Sequence, residues 1–316
     1  MLLALPALRV SRQNFPGSAL ALMGRPERLG LVAFDLQADS VHSIDRAGMA
    51  YFYLEGGTLP SGLSTFFSSF GIALAFGKSN VGILAKNLQR AGVDRVITIP
   101  SFPPEGLRIH VSRYLVESLR ASGIEGAYPW SPLRLPEEAM TFAKRLLADF
   151  GLKEEDRLLA IHPGSGSPAK NWDPKNFATV AERLSEWAKI LLISGPAQDG
   201  VEEVRQAMRK ASPWVADNLS LLHLAAVLKA STAYLGNDSG ITHLAASLGL
   251  PTVAIFGPTN PEVWGPNGPG VNIFSGKNLS SPRSSEARSE CSHQGLEIIK
   301  PEAVIEVLSS FFTESF

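Results

Sequence analysis

The chain has 316 residues, 45% of them hydrophobic and 19% charged, and a formal net charge of −1. This composition is typical of a globular protein long enough for two domains, and it excludes a disordered chain and gives no sign of a nucleic-acid partner. The single cysteine, Cys291, excludes an intramolecular disulfide and disfavours a cysteine-based metal cluster.

The N-terminal stretch MLLALPALRVSRQNFPG is apolar, but it lacks a leading basic region and continues into charged sequence. We therefore expect no signal peptide. The most apolar long windows, such as residues 66–76, are broken by Ser and Gly and are too short to span a bilayer.

The first half of the chain alternates apolar runs with helical spacing. Continuous apolar runs are typical of strands that are covered on both faces. The strand candidates are SALALM (18–23), GIALAF (71–76) and RVITI (95–99), and the helix candidates are 81–91 and 113–122.

A proline-rich passage, YPWSPLRLP at 128–136, interrupts this alternation. Proline removes backbone donors and ends regular structure, so we interpret the passage as an interdomain connection. A helix is predicted after Pro136, with acidic residues first and Gly151 last. The predicted domains are 1–135 and 136–316, and the final helix is expected to pack back on the N-terminal domain.

The second half shows the same alternation more clearly. The strand candidates are LLAIH (158–162), ILLIS (190–194), AYLG (233–236) and TVAIF (252–256), and the helix candidates are 173–186, 201–211, 221–229, 241–248 and 301–312. Strands that alternate with helices form parallel sheets, so we predict an α/β fold of two doubly wound domains. Residues 276–290, rich in Ser and charge, are predicted to be a loop.

Ligands of open parallel sheets bind at the carboxyl ends of the strands, and the default site of two such domains is the cleft between them. By this rule we expect a ligand to bind at the loops after Ile161, Ile193, Leu235 and Phe256.

The first of these loops is HPGSGSPAKNW, residues 162–172. Gly164 and Gly166 allow close approach to the backbone, Ser165 offers a hydroxyl and Lys170 a positive charge, which together suit a diphosphate. The spacing is not that of a P-loop. The alternative is a flexible surface loop with an exposed lysine.

The second loop, SGPAQDG at 194–200, contains Asp199. A carboxylate in this position can accept hydrogen bonds from ribose hydroxyls. The alternative is a negative charge that merely favours the N-terminus of the next helix.

The third loop lies in YLGNDSGITHLAAS, where Asp238, Ser239 and Gly240 end a strand and open a helix. Exposed N–H groups at a helix start form an anion site, Gly240 permits close approach, and His243 can point the same way. The alternative is that Asp238 or Ser239 only caps the helix, which is worth about 1 kcal/mol, and that His243 is a packed side chain.

The fourth loop is FGPTNPEVWGP, residues 256–266, whose glycines and prolines predict a rigid irregular segment beside the third loop, or simply a turn. Each loop alone is a weak signal. Together they are predicted to lie at one edge of one sheet.

Three segments taken together, HPGSGSPAKNW, SGPAQD and GNDSGITHLAASLGLPTVAIFGPT, resemble glycosyltransferase family 9, the lipopolysaccharide heptosyltransferases. The start of the chain resembles the family's first helix and second strand. The resemblance implies a GT-B fold, two Rossmann-like domains facing a cleft, with the donor bound mainly by the C-terminal one. It implies inverting transfer of heptose from ADP-heptose to the lipopolysaccharide inner core, with no metal and no cofactor.

The resemblance also implies roles for individual residues. Lys170 matches the lysine that contacts the donor diphosphate and ribose, and Ser165 with Gly164 and Gly166 matches the phosphate-binding positions. The remaining donor-side matches are Asp199 at the ribose and Asp238, Ser239, Gly240 and His243 at the strand-to-helix motif. Lys170 and Asp238 are the candidate catalytic residues. Replacing Lys170 with Ala is expected to abolish activity with little change in melting temperature.

On the acceptor side, His110 and Arg113 in RIHVSRYL lie where the family's N-terminal domain approaches its acceptor. Arg113 can contact an acidic sugar, or it can be a surface arginine with no special role. The family's proposed general base is an Asp in a Gly-Asp loop that is expected just before Met1, together with a first strand. We therefore expect an N-terminal sheet without its usual central strand, at a cost in stability and activity. Asp35, Asp39 and Asp45 lie in the N-terminal half, but nothing in the sequence places them in the cleft, and Asp39 is the hypothetical substitute base.

Three functions stay open. The chain can be an active ADP-heptose transferase, a non-catalytic or base-deficient nucleotide-sugar-binding homologue, or another GT-B enzyme such as a nucleotide-sugar epimerase. The partners implied are a nucleotide-sugar donor and a glycolipid acceptor, with no nucleic acid. The implied location is the cytoplasm, with peripheral contact at the inner face of the inner membrane.

Overall fold

A computed structural model describes residues 1–78, 80–127, 130–195, 200–276 and 295–313. The chain folds into two compact units, a first unit from Leu3 to Pro129 and a second unit from Trp130 to Phe316. Within the described ranges, no helix has both the length and the apolar character needed to cross a membrane. Cys291 and almost all of the loop predicted at 276–290 fall outside these ranges.

The first unit alternates helices with short parallel strands. In chain order its elements are α1 (Leu5–Asn14), β1 (Ala21–Gly24), α2 (Pro26–Leu36), β2 (Ser40–Ser43), α3 (Ser61–Phe67), β3 (Ile72–Gly77), α4 (Val81–Arg90), β4 (Arg95–Pro100) and α5 (Val111–Ala121). β1 starts at Ala21 and not at the predicted Ser18, because a turn closes between Phe15 and Ser18 and the Arg12 guanidinium binds the Ser18 carbonyl at 2.6 Å.

The strands of the first unit form two separate parallel pairs. β1 pairs with β2, and β3 pairs with β4; no ladder joins the two pairs among the described residues. On one face, Met23 of β1 and Ala73 of β3 pack against the same apolar cluster, whose largest members are Phe52 and Phe67. The two strand pairs therefore share a core although they are not hydrogen-bonded to each other.

Two aspartates of the first unit have structural roles. Asp35, whose side chain is 2% exposed, forms a two-pronged ion pair with Arg9 of α1, with N–O distances of 2.8 and 2.9 Å. Asp39 accepts a 2.7 Å hydrogen bond from the Leu20 amide at the amino ends of β1 and β2. Because ligands of parallel sheets bind at the opposite, carboxyl ends, Asp39 is badly placed to substitute for a general base.

The second unit contains one six-stranded parallel sheet. Its elements are α6 (Glu137–Asp149), β5 (Leu158–His162), α7 (Pro174–Leu184), β6 (Lys189–Ile193), α8 (Val201–Ala207), β7 (Trp214–Ala216), α9 (Leu221–Lys229), β8 (Ala233–Asn237), α10 (Gly240–Ser247), β9 (Thr252–Phe256), α11 (Pro261–Trp264), β10 (Val271–Ser275) and α12 (Pro301–Thr313). The strand order is β10-β9-β8-β5-β6-β7. Every residue of β5, β8 and β9 is buried, because helices cover both faces of these central strands.

The two faces of this sheet carry separate apolar cores. α7, α8 and α12 cover one face, and α6 and α9 cover the other. The buried residues of α12 are Val304, Leu308 and Phe312, a single stripe that packs in the same cluster as Phe177 of α7. The final helix therefore contributes its buried face to the second unit, and its expected packing on the N-terminal domain stays a prediction.

The second unit begins at Trp130 and not at the predicted Pro136. The indole N–H of Trp130 donates to the Asn267 carbonyl at 3.3 Å, and the amide of the buried Leu133 donates to the Ser247 carbonyl at 2.7 Å. These bonds attach the proline-rich passage to the second unit.

α8 ends at Ala207, short of the predicted Ala211. Glu182 of α7 accepts hydrogen bonds from the amides of Arg209, Lys210 and Ala211 at 2.6, 2.7 and 3.3 Å. Desolvation raises the pKa of Glu182, but these three bonds outweigh it and lower the pKa below its ordinary value. The carboxylate thus holds residues 209–211 in an irregular turn, although we predicted that this segment is helical.

The ion pair of Arg9 and Asp35 supports a first prediction. Replacing Asp35 with Asn leaves a partly buried guanidinium without its counter-charge, so the free energy of unfolding should fall by about 3 kcal/mol. Urea unfolding followed by circular dichroism measures this change. The control is Glu117→Gln, which breaks the exposed pair with Arg113 and should change the free energy by less than about 0.5 kcal/mol. Equal changes in the two variants would contradict the structural role of Asp35.

Candidate functional site

Four loops leave the second unit's sheet at one edge. β9, β8, β5 and β6 are neighbours in the sheet and all run parallel. Their carboxyl ends therefore lie side by side, and so do the loops that follow them. The sheet order confirms the prediction that the four loops share an edge.

The loop after β5 is organised by its own hydroxyl and by a short 3-10 helix, Pro168–Lys170. The Ser165 hydroxyl lies 2.7 Å from the Ser167 carbonyl and 2.6 Å from the Asn171 amide oxygen. This side chain stabilises the loop through these contacts. Its contact with a phosphate stays a prediction. Gly164 is buried, whereas Gly166 is exposed and has open space where a Cβ would stand.

Lys170 and Asp238, predicted from separate loops, form an ion pair. The Lys170 ammonium lies 2.7 Å from Oδ2 of Asp238, and the two side chains are 31% and 8% exposed. Within the described part of the chain, this oxygen has no other partner. The buried carboxylate therefore orients the ammonium, while about a third of the lysine side chain stays accessible to a ligand.

The N-terminus of α10 opens beside this pair. Ser239 is the N-cap, and its hydroxyl oxygen accepts from the Thr242 amide at 3.3 Å. The amides of Gly240 and Ile241 have no acceptor within the helix and carry partial positive charge. Gly240 is exposed, and a Cβ there would meet nothing within 4 Å. The cap that we considered as an alternative is thus real at Ser239, and it coexists with an open helix end.

A chain of hydroxyl groups lies behind this helix end. The Tyr234 hydroxyl is 3.0 Å from Oγ1 of Thr242, which is 3.1 Å from Oγ of Ser239, and that oxygen is 3.4 Å from Nδ1 of His162. Burial raises the pKa of Tyr234, so its hydroxyl stays neutral and acts only through hydrogen bonds. His162, the buried last residue of β5, was not among the predicted site residues, although it opens the quoted motif HPGSGS.

The other loops border the loop after β5. Gly200, which caps α8 with φ of 76°, would place a Cβ 4.0 Å from Pro163. Gly257, after β9, would place one 3.4 Å from the Ala169 carbonyl oxygen. Both flanks of the lysine-bearing loop are therefore occupied by its neighbours. Asp199, predicted at the ribose, lies outside the described residues.

His243 lies in α10, and the two acceptor-side candidates lie at the start of α5. His243 is half-buried in the first turn of α10. His110 is the N-cap of α5, where its ring nitrogen accepts from the Ser112 amide at 3.3 Å. Arg113 is exposed and pairs with Glu117 at 2.8 Å. The predicted ligand contacts of all three stay predictions.

The first unit has a cavity that sequence analysis missed. It has a volume of about 360 Å³ and lies at the carboxyl end of β3 and the start of α4. Its lining residues are Tyr53, Phe76, Gly77, Asn80, Val81 and Leu84. Burial raises the pKa of the Tyr53 hydroxyl, which stays a neutral hydrogen-bonding group. No sequence pattern could have indicated it, because its wall combines three separate segments.

Over the described ranges, no three His, Cys, Asp or Glu side chains are grouped so that they could hold a metal ion.

Comparison with known proteins gives one family. Residues 84–294 match the model of glycosyltransferase family 9 (heptosyltransferase). Lipopolysaccharide heptosyltransferase 2 of Salmonella typhimurium is 28% identical over 195 residues, which are 58% of this chain and 55% of that protein. Lipopolysaccharide heptosyltransferase 1 of Pseudomonas aeruginosa is 31% identical over 172 residues, 48% of each chain. The chain thus spans about half the length of these curated relatives.

Solved structures agree over nearly the whole chain. A family 9 glycosyl transferase from Veillonella parvula superposes with a TM-score of 0.80 at 21% identity, covering 99% of this chain and 94% of that one. The E. coli ADP-heptose lipopolysaccharide heptosyltransferase II gives 0.71 at 18% identity, covering 99% and 95%. These likenesses confirm the predicted α/β fold of GT-B type with Rossmann-like domains. Because the family model covers well over half of its length, the chain belongs to glycosyltransferase family 9 (heptosyltransferase).

Proposed function

We propose that the protein is an inverting, metal-independent glycosyltransferase that moves heptose from ADP-heptose to an acceptor in the lipopolysaccharide inner core. One observation carries the proposal: the Lys170 ammonium and the open N-terminus of α10 lie together at the carboxyl edge of the second unit's sheet. Family membership supports the reaction class.

The donor diphosphate is the group that this edge suits best. Glycosyl transfer breaks the bond between the anomeric carbon and the diphosphate, so negative charge develops on the departing ADP. A fixed ammonium and the amides of Gly240 and Ile241 stabilise such charge without reorganising during the reaction. The open space at Gly166 and Gly240 leaves room for phosphate oxygens near the backbone.

The identity of the sugar and of the acceptor is inferred from relatives. The Salmonella relative is a lipopolysaccharide heptosyltransferase, and the E. coli structure is an ADP-heptose enzyme. We assign the same donor and a glycolipid acceptor to this chain. A glycolipid acceptor implies peripheral contact with the inner face of the inner membrane.

The first unit is assigned to the acceptor. Its cavity at the carboxyl end of β3 combines aromatic walls, Tyr53 and Phe76, with the polar side chain of Asn80. Aromatic faces with a few polar groups are typical of small-ligand sites. His110 and Arg113 remain further candidates for this side.

A second candidate function is a base-deficient homologue that binds a nucleotide sugar without transferring it. The observation that favours it concerns two of the first unit's aspartates: Asp35 is held by Arg9, and Asp39 lies at the amino ends of the strands. Inverting transfer requires a group that takes the proton of the acceptor hydroxyl.

An assay of heptose transfer separates the two candidates. The protein is incubated with ADP-heptose and an inner-core glycolipid that lacks the terminal heptose, and both ADP release and acceptor mass are followed. Acceptor that gains one heptose with inverted anomeric configuration supports transfer. Binding of ADP-heptose without any product supports the base-deficient homologue.

Lys170→Ala should lower kcat/KM by about 100-fold or more, the usual loss when one preorganised charge-stabilising donor is removed. The ion pair with Asp238 gives a revised expectation for the stability of this variant. Since the substitution leaves the buried Asp238 carboxylate unpaired, the free energy of unfolding should fall by about 1–2 kcal/mol, discounted for the exposure of the lysine.

The control for this variant is Lys170→Ala combined with Asp238→Asn, which removes both charges. Differential scanning calorimetry should show most of the lost stability restored, whereas kcat/KM should stay low. Recovery of activity in the double variant would show that Lys170 acts on folding and not on the diphosphate.

Metal independence has its own test. Because Lys170 and the α10 N-terminus supply the positive charge, EDTA should leave the rate of transfer unchanged. The rate is measured as ADP release before and after EDTA, and then after added Mg²⁺. A loss that Mg²⁺ reverses would refute this part of the proposal.

A further inference from the structure

Asn237 is a fully buried polar residue at the end of β8, immediately before Asp238. Its Nδ2 donates to the Pro163 carbonyl at 2.5 Å, and its Oδ1 accepts from the Trp172 amide at 3.0 Å. Burying an amide side chain is unfavourable unless both of its polar atoms are bonded. Here both partners belong to the loop after β5.

The two bonds hold opposite ends of that loop. Pro163 directly follows β5, and Trp172 closes the loop just before α7. The Trp172 end is anchored further, since its indole is 1% exposed and its Nε1 donates to the Ile299 carbonyl at 3.2 Å. One side chain thus fixes the distance across the segment that carries Lys170.

The same residue links the two charges of the site. Lys170 lies two residues before Trp172 on the clamped loop, and Asp238 follows Asn237 in the chain. Movement at Asn237 would therefore shift both the Lys170 ammonium and the Asp238 carboxylate, which are 2.7 Å apart.

We propose that Asn237 is a positioning residue, which holds the Lys170 loop in the shape that binds the donor diphosphate. The inference rests on the proposed donor site. It predicts that the amide acts through the loop and not through contact with the ligand.

Two variants and one control test this role. Asn237→Ala removes both bonds, and Asn237→Asp keeps the acceptor for Trp172 but turns an oxygen toward the Pro163 carbonyl. The control is Thr252→Val, at the amino end of β9 and far along the sheet from the loops. Thr252 is also fully buried, and its hydroxyl donates to the Leu250 carbonyl at 2.7 Å.

Three quantities are measured: calorimetric affinity for ADP, kcat/KM for transfer, and hydrogen exchange of the peptide 163–172. In Asn237→Ala, ADP affinity should fall about tenfold and kcat/KM about 100-fold, the loss typical of a misplacement near 1 Å. Exchange in the loop should speed up. Thr252→Val also removes a buried hydrogen bond, but it should leave ADP affinity, kcat/KM and loop exchange as in the wild type.

Asn237→Asp adds a readout that a purely structural role would not give. Burial raises the pKa of a carboxyl group, so this aspartate should take up a proton as pH falls from 8 to 5. Its O–H can then donate to the Pro163 carbonyl. ADP affinity relative to wild type at the same pH should recover on acidification, and a constant ratio would count against the clamp. This variant also serves if Asn237→Ala does not fold.

The results distinguish failure of the positioning role of Asn237 from failure of the proposed function. If the wild type binds ADP and Asn237→Ala binds it equally well, or if Thr252→Val loses as much affinity, the positioning role is overturned. If the wild type binds no ADP, the proposed function fails. Hydrogen exchange then decides: faster loop exchange only in the Asn237 variants supports the clamp, and equal exchange in all variants overturns it.

Discussion

The parallel register of β5 and β8 determines the geometry of the site. His162 pairs with Gly236 at the carboxyl end of this ladder, so the loop after β5 starts beside the turn that leads into α10. Every residue of both strands is buried, and a slip of one residue would turn each side chain to the other face of the sheet. The register is therefore strongly specified, and with it the approach of Pro163 to Asn237 and of Lys170 to Asp238.

The ion pair has consequences for ligand binding. A diphosphate that approaches Lys170 meets an ammonium already held by a buried carboxylate. The pairing fixes the position of the charge before the ligand arrives. A fixed charge stabilises a transition state better than a flexible side chain, which would have to reorganise during the reaction. It also places Asp238 near the incoming anion, so the neighbouring amides of α10 are needed to offset its negative charge.

The sequence predicted the buried elements best. LLAIH, TVAIF and the helix 221–229 match the observed bounds of β5, β9 and α9. The strands that were missed, β2, β7 and β10, are all at sheet edges. Most of their residues are partly exposed, and their sequences are SVHS, WVA and VNIFS. A strand with an open edge does not need a continuous apolar run, so hydrophobic patterning alone does not reveal it.

The candidate site was likewise predicted only in part. Motif chemistry indicated the loops, and it brought Lys170 and Asp238 to the same edge. Their direct contact and the clamp by Asn237 could not be predicted, because the clamp joins residues 74 and 65 positions apart in the chain. These bonds form because β8 lies beside β5 in the strand order β8-β5-β6. No local sequence pattern contains that order. The cavity of the first unit depends on tertiary contacts in the same way.

The central claim is that the edge above β5 and β8 binds the diphosphate of an ADP-sugar. Calorimetric titration of the protein with ADP, with UDP and GDP as comparisons, tests it most directly. The account predicts saturable binding of ADP. The ADP-sugar donor inferred from relatives further predicts that UDP and GDP bind more weakly by about tenfold or more, a difference of about 1.4 kcal/mol. Absence of binding to all three nucleotides would contradict the assignment of Lys170 and the α10 N-terminus to the donor.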